Sequence, residues 1–328
     1  MTTYKDIHGT QVEVRADDPS NPVNGQIWYN TTDDKLRGHT VSPVGAWASG
    51  GNLNTGRSNV GGAGTQTAGL AFGGSSPPFV GITEKYNGTS WTEVNDMNTA
   101  RSKVFGHGFG TQTAALVAGG ATASDYSALS ETFNGTSWAE GNDLNQAREQ
   151  VGSVSGTTTA GLVFGGQGPP PGMQVSCESY NGTSWTEVNN LNTGRYLLAG
   201  SGTLTAGLAF GGDTDPGKKK LNESWNGTSW TEVNDMNTAR AELQGFGTAT
   251  ASLAVGGSVP PVSALNESFN GTSWTEVNDI SAARAALGSA RSGTTTAAVV
   301  FGGTTGSLTA ATEEFNAPFG STQEFDLS

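Results

Sequence analysis

Residues Asn87–Arg101 read NGTSWTEVNDMNTAR, and the phrase returns, whole or lightly edited, from Asn134, Asn181, Asn226 and Asn270. A phrase spelled five times encodes either a repeated chemistry or a repeated piece of architecture. Asn-Gly between two alternating runs is a strong hairpin signal. A tight primed turn needs positive φ at both central residues, which Asn tolerates and Gly meets at no steric cost. The phrase is therefore expected to be a hairpin turn, then a strand opened by a buried Trp, then a turn into the next unit. Full burial of so large a side chain contributes roughly 2–3 kcal/mol.

Alignment on that residue gives Trp91, Trp138, Trp185, Trp230 and Trp274, and Trp47 joins them because WASGGNLNTGR matches WTEVNDMNTAR without a gap. Ten residues after each Trp stands an Arg: Arg57, Arg101, Arg148, Arg195, Arg240 and Arg284. A Gly pair then closes a small-apolar run in each unit, from Gly73–Gly74 to Gly302–Gly303. The Trp spacings of 44, 47, 47, 45 and 44 residues, with a Gly pair and a Trp per unit, predict an all-β, six-bladed β-propeller. One unit divides into four strands: AREQVGSVSG, TTAGLVFGG, CESYNG and SWTEVN.

Two further columns repeat. Glu84, Glu131, Glu178, Glu223, Glu267 and Glu313 stand two residues before an aromatic: Tyr86, Phe133, Tyr180, Trp225, Phe269 and Phe315. Positions two apart share a strand face, so each Glu falls beside a core aromatic and needs a partner. The Arg that occurs once per unit is that partner, and an Arg–Glu pair is predicted in most blades. The apolar residue of the turn after each Trp strand (Leu53, Met97, Leu144, Leu191, Met236, Ile280) is expected to pack beneath it.

The units do not close within their own sequence. Asn316 is followed by APFGSTQ in place of GTSW, while GAW at 45–47 has no three strands before it. Residues 44–50 are therefore expected to supply the fourth strand of the last blade, removing two exposed sheet edges. This divides the chain into a non-repeating segment 1–43, a propeller 44–316 and a C-terminal arm 317–328.

Composition excludes several functions. A net charge of −13 argues against sequence-independent binding of nucleic acid and against an anionic membrane surface. Cys177 is the only cysteine, which excludes an intrachain disulfide and a cysteine cluster for metal. MTTYKDIHGT lacks the apolar core of a secretory leader, so synthesis in a cytosol without export is expected.

The repeat resembles the kelch-type propeller, which has a Gly pair ending the second strand and a Trp on the fourth; it lacks the regular Tyr after the Gly pair. The resemblance covers residues 44–316. NGTSWTEVNDMNTAR is also similar to repeats in structural proteins of tailed bacteriophages, marine ones especially. The leader NPVNGQIWYNTTDDKLR (21–37) is similar to a short segment near the start of phage fibre and tail proteins. The resemblance implies a virion protein (tail fibre, baseplate, neck or capsid decoration) that reaches the outside by lysis. Fold alone assigns no function.

His8, His39 and His107 are the only histidines, too few to build a copper site around the CESY stretch at 177–180. NGTSW echoes the SxDxGxTW box of sialidases but lacks its Ser and Asp, and an Arg repeated once per blade behaves as scaffold. EVNDMN offers Asp and Asn oxygens for calcium, yet these residue types also cap turns. The N-G-T matches to a glycosylation acceptor are already explained by the turn. No catalytic residue, metal or cofactor is expected.

The unrepeated residues lie in the loops joining second to third strands, where variable loops on a regular scaffold carry binding. Phe79, Tyr126, Asp213, Asp215, Lys218, Lys219 and Lys220 are the contact-capable side chains there. In residues 1–43 the apolar Ile27, Trp28 and Tyr29 need a partner, from the propeller flank or another protein, and the segment is expected to dock to other virion proteins, with homo-oligomerisation open. The expectation is a non-enzymatic virion protein whose propeller binds a host-surface glycan or protein. The alternatives are a sialidase-like glycan-processing enzyme and a cellular kelch-like interaction module.

Overall fold

The computed structural model describes residues 12–20, 26–41, 45–104, 108–169, 172–215, 217–316 and 320–325. Among them every regular element is a β-strand, and the strands form seven four-stranded sheets, consistent with the repeated blades of a β-propeller. Two compact units result, one from residues 1–46 with 316–328 and the other from 47–315.

The larger unit holds six of the sheets. The first contains Gly61–Thr65, Ala68–Phe72, Thr83–Tyr86 and Trp91–Val94, each antiparallel to the next. Four further sheets repeat this order, ending on strands that begin at Trp138, Trp185, Trp230 and Trp274. The sixth takes Gly288–Ser289, Ala297–Phe301 and Thr312–Asn316 from the end of the repeats and Ala46–Ser49 from before them.

Each Trp pairs across strands with the aromatic of its own hairpin, as in Tyr86–Trp91 (4.8 Å) and Trp225–Trp230 (5.2 Å), and Phe315–Trp47 makes the same pair at 5.2 Å. Four of them also pack edge-on against the preceding sheet, Trp138 on Phe72, Trp230 on Phe164, Trp274 on Phe210 and Trp91 on Phe301 of the sixth, and Trp185 meets Phe109 at a tilt. Three of the indoles donate to a hydroxyl of that preceding sheet (Trp91 to Thr312, Trp138 to Thr83, Trp185 to Ser130). In the third sheet Cys177 holds the position of these hydroxyls, and burial pushes its thiol up to about 12. Leu53, Met97, Leu144, Leu191, Met236 and Ile280 are all buried beneath their turns.

The ion pair expected from the repeat is present in all six of these sheets. Arg57, Arg101, Arg148, Arg195, Arg240 and Arg284 are fully buried and meet Glu84, Glu131, Glu178, Glu223, Glu267 and Glu313 at 2.5–3.1 Å. Arg57 shows the pattern: Nη2 donates to Glu84, while Nη1 donates to the carbonyls of Gly73 (2.8 Å) and Ile82 (2.6 Å). The other oxygen of Glu84 accepts from Asn54, backbone and side chain, five positions after the strand Ala46–Ser49 ends. One buried pair thereby ties the linker to the second and third strands of the following sheet.

The hairpin differs from the primed turn expected. Tyr86 pairs with Trp91, so four residues, Asn87–Ser90, form the connection. Gly88 has φ +87°, but Asn87 and its counterparts are not in the left-handed region. The Asn side chain instead accepts from the backbone N–H of Thr89 and Ser90, both at 2.9 Å. Asn is used here as a local cap.

In the smaller unit, Glu13–Arg15 runs parallel to Ile27–Asn30, which pairs with Lys35–Val41, which in turn pairs with Gly320–Phe325. The C-terminal segment expected to be a separate arm thus contributes a strand to the N-terminal sheet. Trp28, expected to be a docking residue, is fully buried, and its indole donates to Asp18 at 2.9 Å; Ile27 and Tyr29 are half-buried. Asp18 also accepts from Arg37 and Asn30, and these bonds, that of Arg37 first, hold its carboxyl well below the ordinary range. Trp28 is consumed by its own fold and is not a free docking group.

Removing one partner of a buried pair strands the other charge, at a cost of about 3–5 kcal/mol. Arg195→Met should lower stability by that amount in chemical denaturation, and adding Glu223→Leu should recover part of the loss. A single variant as stable as the wild type would show that the pair is dispensable.

Candidate functional site

The linker that carries each buried Arg continues directly into the unrepeated part of the molecule. The residue after the Arg bridges to the residue after the Gly pair, which bridges to the far side of the variable loop: Ser58–Ser75–Phe79, Ser102–Ala121–Tyr126, Glu149–Gln167–Met173, Tyr196–Asp213–Lys218 and Ala285–Thr304–Leu308. Ala241–Ser258 makes the first of these links in the fifth sheet. Short ladders therefore gather one variable residue from each of three chain segments at one end of five of the sheets, and from two segments in the fifth. Phe79 and Tyr126 hold equivalent rungs and are half-buried, while Met173 (39%) and Leu308 (40%) on the same rung are exposed.

One position further on, six non-glycine residues lie in the left-handed region: Asn59, Lys103, Gln150, Leu197, Glu242 and Ala286, with φ from 52° to 59°. Such a conformation costs roughly 1–2 kcal/mol per residue unless its surroundings fix it. Here the fixing contact is a backbone relay from sheet to sheet. Asn59 N donates to Ala286 O (2.8 Å), Ala286 N to Glu242 O (3.2 Å), Glu242 N to Leu197 O (2.9 Å) and Leu197 N to Gln150 O (2.9 Å). Gln150 N then donates to Lys103 O (3.3 Å), and Val104 N returns to Asn59 O (3.3 Å). Six side chains that share no chemistry are held side by side by a relay that uses only backbone.

Charge concentrates where the fourth and fifth sheets meet in this relay. Asp213 and Lys218 face each other in the ladder, Asp215 N donates to Asp213 Oδ1 at 2.9 Å, and the Lys218 ammonium donates to Ser258 Oγ. Burial, with Asp213 adding to it and Lys218 opposing it, pushes the Glu242 carboxyl up. Burial followed by Asp213, Asp215 and Glu242 pushes the Tyr196 phenol up as well. Lys103 meets Glu149 at 2.7 Å elsewhere on the relay. Lys219 and Lys220 are held through their backbone, accepting from Arg240 N and Met236 N.

Of the residues singled out from sequence, Asp213, Asp215 and Lys218 come together in one group, and Phe79 and Tyr126 occupy matching rungs of other sheets. Tyr196, Glu242 and the rest of the relay were missed. Their signal was present: in a repeat aligned on the Arg, the two columns that follow it vary freely (Ser-Asn, Ser-Lys, Glu-Gln, Tyr-Leu, Ala-Glu, Ala-Ala). Asp96 accepts from Thr83 N, at the start of the neighbouring third strand, at 3.2 Å. Among the described residues no three His, Cys, Asp or Glu side chains are grouped to hold a metal ion.

A carboxyl raised by burial favours the folded state while it is protonated, and this contribution is lost as pH rises through the folded value. Glu242→Gln should therefore raise the melting temperature at pH 7–8, with the gain vanishing below the ordinary carboxylate value of 4.5. A gain that persists unchanged at pH 4 would disprove the assignment. Compared with known proteins, the chain matches no family model and no curated protein.

Proposed function

We propose that residues 47–315 with Ala46–Ser49 form a closed six-bladed propeller, and that it serves as a non-enzymatic binding module. Closure is supported by the hydrogen bonding of Ala46–Ser49 to the sixth sheet, the Phe315–Trp47 ring pair and the backbone relay that returns to Asn59. The observation that carries the binding role is a division of labour. Repeated side chains are spent on buried pairs and core, whereas unrepeated ones collect on the ladder and relay at one end of the sheets. Partly exposed Tyr126, Met173 and Leu308 beside Asp213, Asp215 and Lys218 offer apolar contact and polar specificity together.

The setting proposed is the virion of a tailed bacteriophage, resting on the similarity of NGTSWTEVNDMNTAR and of residues 21–37 to phage structural proteins. The smaller unit, with residues 1–43, would attach to neighbouring virion proteins, and the ladder face would contact a host-surface glycan or protein. A glycan-processing enzyme would use an unrepeated arginine opposite carboxylates. Arg291, the one arginine of the larger unit outside the repeat, is buried without a carboxylate partner among the described residues.

Two measurements test this reading. Deleting Ala46–Ser49 should lower the melting temperature by about 5 °C or more by leaving a sheet edge and Phe315 uncovered, and an unchanged melt would refute closure. Mass spectrometry of gradient-purified particles of a phage carrying the gene should detect the chain, and the pure protein should adsorb to host cells. Tyr126→Ala with Met173→Ala and Leu308→Ala should abolish that adsorption. Absence from particles would overturn the virion setting; full adsorption by the triple variant would overturn the face.

A further inference from the structure

A repeated sheet that touches only its two neighbours is held by nearest-neighbour contacts, and an array of such sheets can open one unit at a time. In the larger unit the two ends of the repeat meet within the sixth sheet, where Ala46–Ser49 is hydrogen-bonded beside Thr312–Asn316. No peptide bond joins the two strands there, so opening would start at that place. The first strands supply a contact of a different kind. In each sheet a glycine stands nine residues before the Gly pair, at Gly64, Gly110, Gly156, Gly202, Gly247 and Gly293. Gly64, Gly202 and Gly247 follow the first paired residue of their strand by three positions, Gly156 by four and Gly293 by five. The sixth sheet therefore carries two residues more than the regular strand pairs, and its first strand stops at Ser289.

The residues released by that early stop, 290–293, bond to all five other sheets. Ser292 N donates to Gly64 O and Ser292 Oγ to Gly110 O, both at 2.9 Å, in the first and second sheets. Ser155 Oγ, just beyond the first strand of the third sheet, donates to Arg291 O at 2.6 Å. The Arg291 guanidinium donates through Nη2 to Ser153 O (2.5 Å) in the third sheet and to Gly200 O (3.1 Å) in the fourth. Through Nη1 it donates to Gln244 Oε1 (3.3 Å) in the fifth, and Gly247 N donates to Gly293 O at 3.3 Å. The backbone relay joins the sixth sheet only to the first and the fifth. The bonds to Gly110, Ser153 and Gly200 thus reach sheets that are not its neighbours, across 182, 138 and 91 residues of chain.

Arg291 is buried with no carboxylate partner among the described residues, so carbonyl and amide dipoles balance its charge. Desolvation pulls its pKa to about 10, which leaves it cationic at neutral pH. A buried charge held in this way adds little net stability. What the guanidinium does supply is reach in several directions at once: its forked donors meet acceptors on three different sheets. Neither an apolar side chain nor the single ammonium of a lysine reproduces that geometry.

We propose that residues 290–293 are a latch built into the fold, which ties the sixth sheet to the first strands of sheets that are not its neighbours and so makes the larger unit open as one body instead of sheet by sheet. The latch presupposes the closed ring proposed above. It acts on cooperativity more than on total stability, because it adds contacts that a ring of neighbours lacks while burying a charge.

The test is native-state hydrogen exchange of the full chain, read by mass spectrometry at rising denaturant concentrations below the unfolding transition. In the wild type the inner strands of all six sheets should share one opening equilibrium with one denaturant dependence. Arg291→Met should split that behaviour. Ala297–Phe301 and Thr312–Asn316 should then exchange about tenfold or more faster than Ala206–Phe210, with a shallower denaturant dependence. Its melting temperature should fall far less than that of Arg195→Met. Arg291→Lys, which keeps the charge and loses the fork, should behave as the Met variant does. Ser155→Ala with Ser292→Ala, which keeps Arg291, should give a smaller split in the same direction and serves if the arginine variants fail to fold. Sheet-by-sheet exchange in the wild type, or uniform exchange in every variant, would overturn the latch. An open ring reads differently: Ala46–Ser49 and Thr312–Asn316 would exchange rapidly in the wild type while the other sheets stay protected, which would overturn closure and latch together.

Discussion

The buried Arg–Glu pair is the constraint around which each of the six repeated sheets is arranged. A guanidinium taken out of water needs both a counter-charge and acceptors for its remaining donors. In Arg195 these are Glu223 and the carbonyls of Gly211 and Leu221, which belong to the third strand, the end of the second and the start of the third. Satisfying one side chain therefore fixes where a linker, a strand end and a loop end must meet. The Glu completes the node by accepting from the linker's Asn N–H, as Glu223 does from Asn192 at 2.8 Å. Hydrophobic burial alone would stabilise the sheets without specifying this meeting point.

That rigidity explains how the variable end can differ so freely. The residue after each Arg begins the ladder and the next enters the backbone relay, so both are positioned by the node immediately before them. Leu197, Glu242 and Ala286 adopt nearly the same left-handed backbone despite unrelated side chains, because the bonds that impose it run between main-chain atoms. Side chains can change here without touching the interactions that hold the sheets.

The regularity breaks in two ways. Cys177, Asn222 and Asn266 stand where Thr83, Ser130 and Thr312 accept from a tryptophan, and the indoles of Trp230, Trp274 and Trp47 donate to no hydroxyl there. The longer first-strand segments of the third and sixth sheets break the repeat where the strands converge, and they meet through Ser155 and Arg291.

The period, the strand order, the Arg–Glu pairing, the buried turn residues and the borrowed strand around Trp47 were all legible in the sequence. Each depends on spacing within a unit or on a strand missing from one end and spare at the other. The hairpin's detail is not legible there, because Asn-Gly is compatible with both a two-residue turn and a capped four-residue one, and the choice rests on where Tyr86 and Trp91 pair. The burial of Trp28 is not legible in the sequence because its partners Asp18 and Arg37 lie on other segments and carry no local pattern. The grouping of Tyr196 and Glu242 with Asp213 and Lys218, the relay through residues from 59 to 286, and the isolation of Arg291 were decided by tertiary structure alone. They join positions tens to hundreds of residues apart, and local periodicity cannot report which distant backbones become neighbours or which buried charge is left without one.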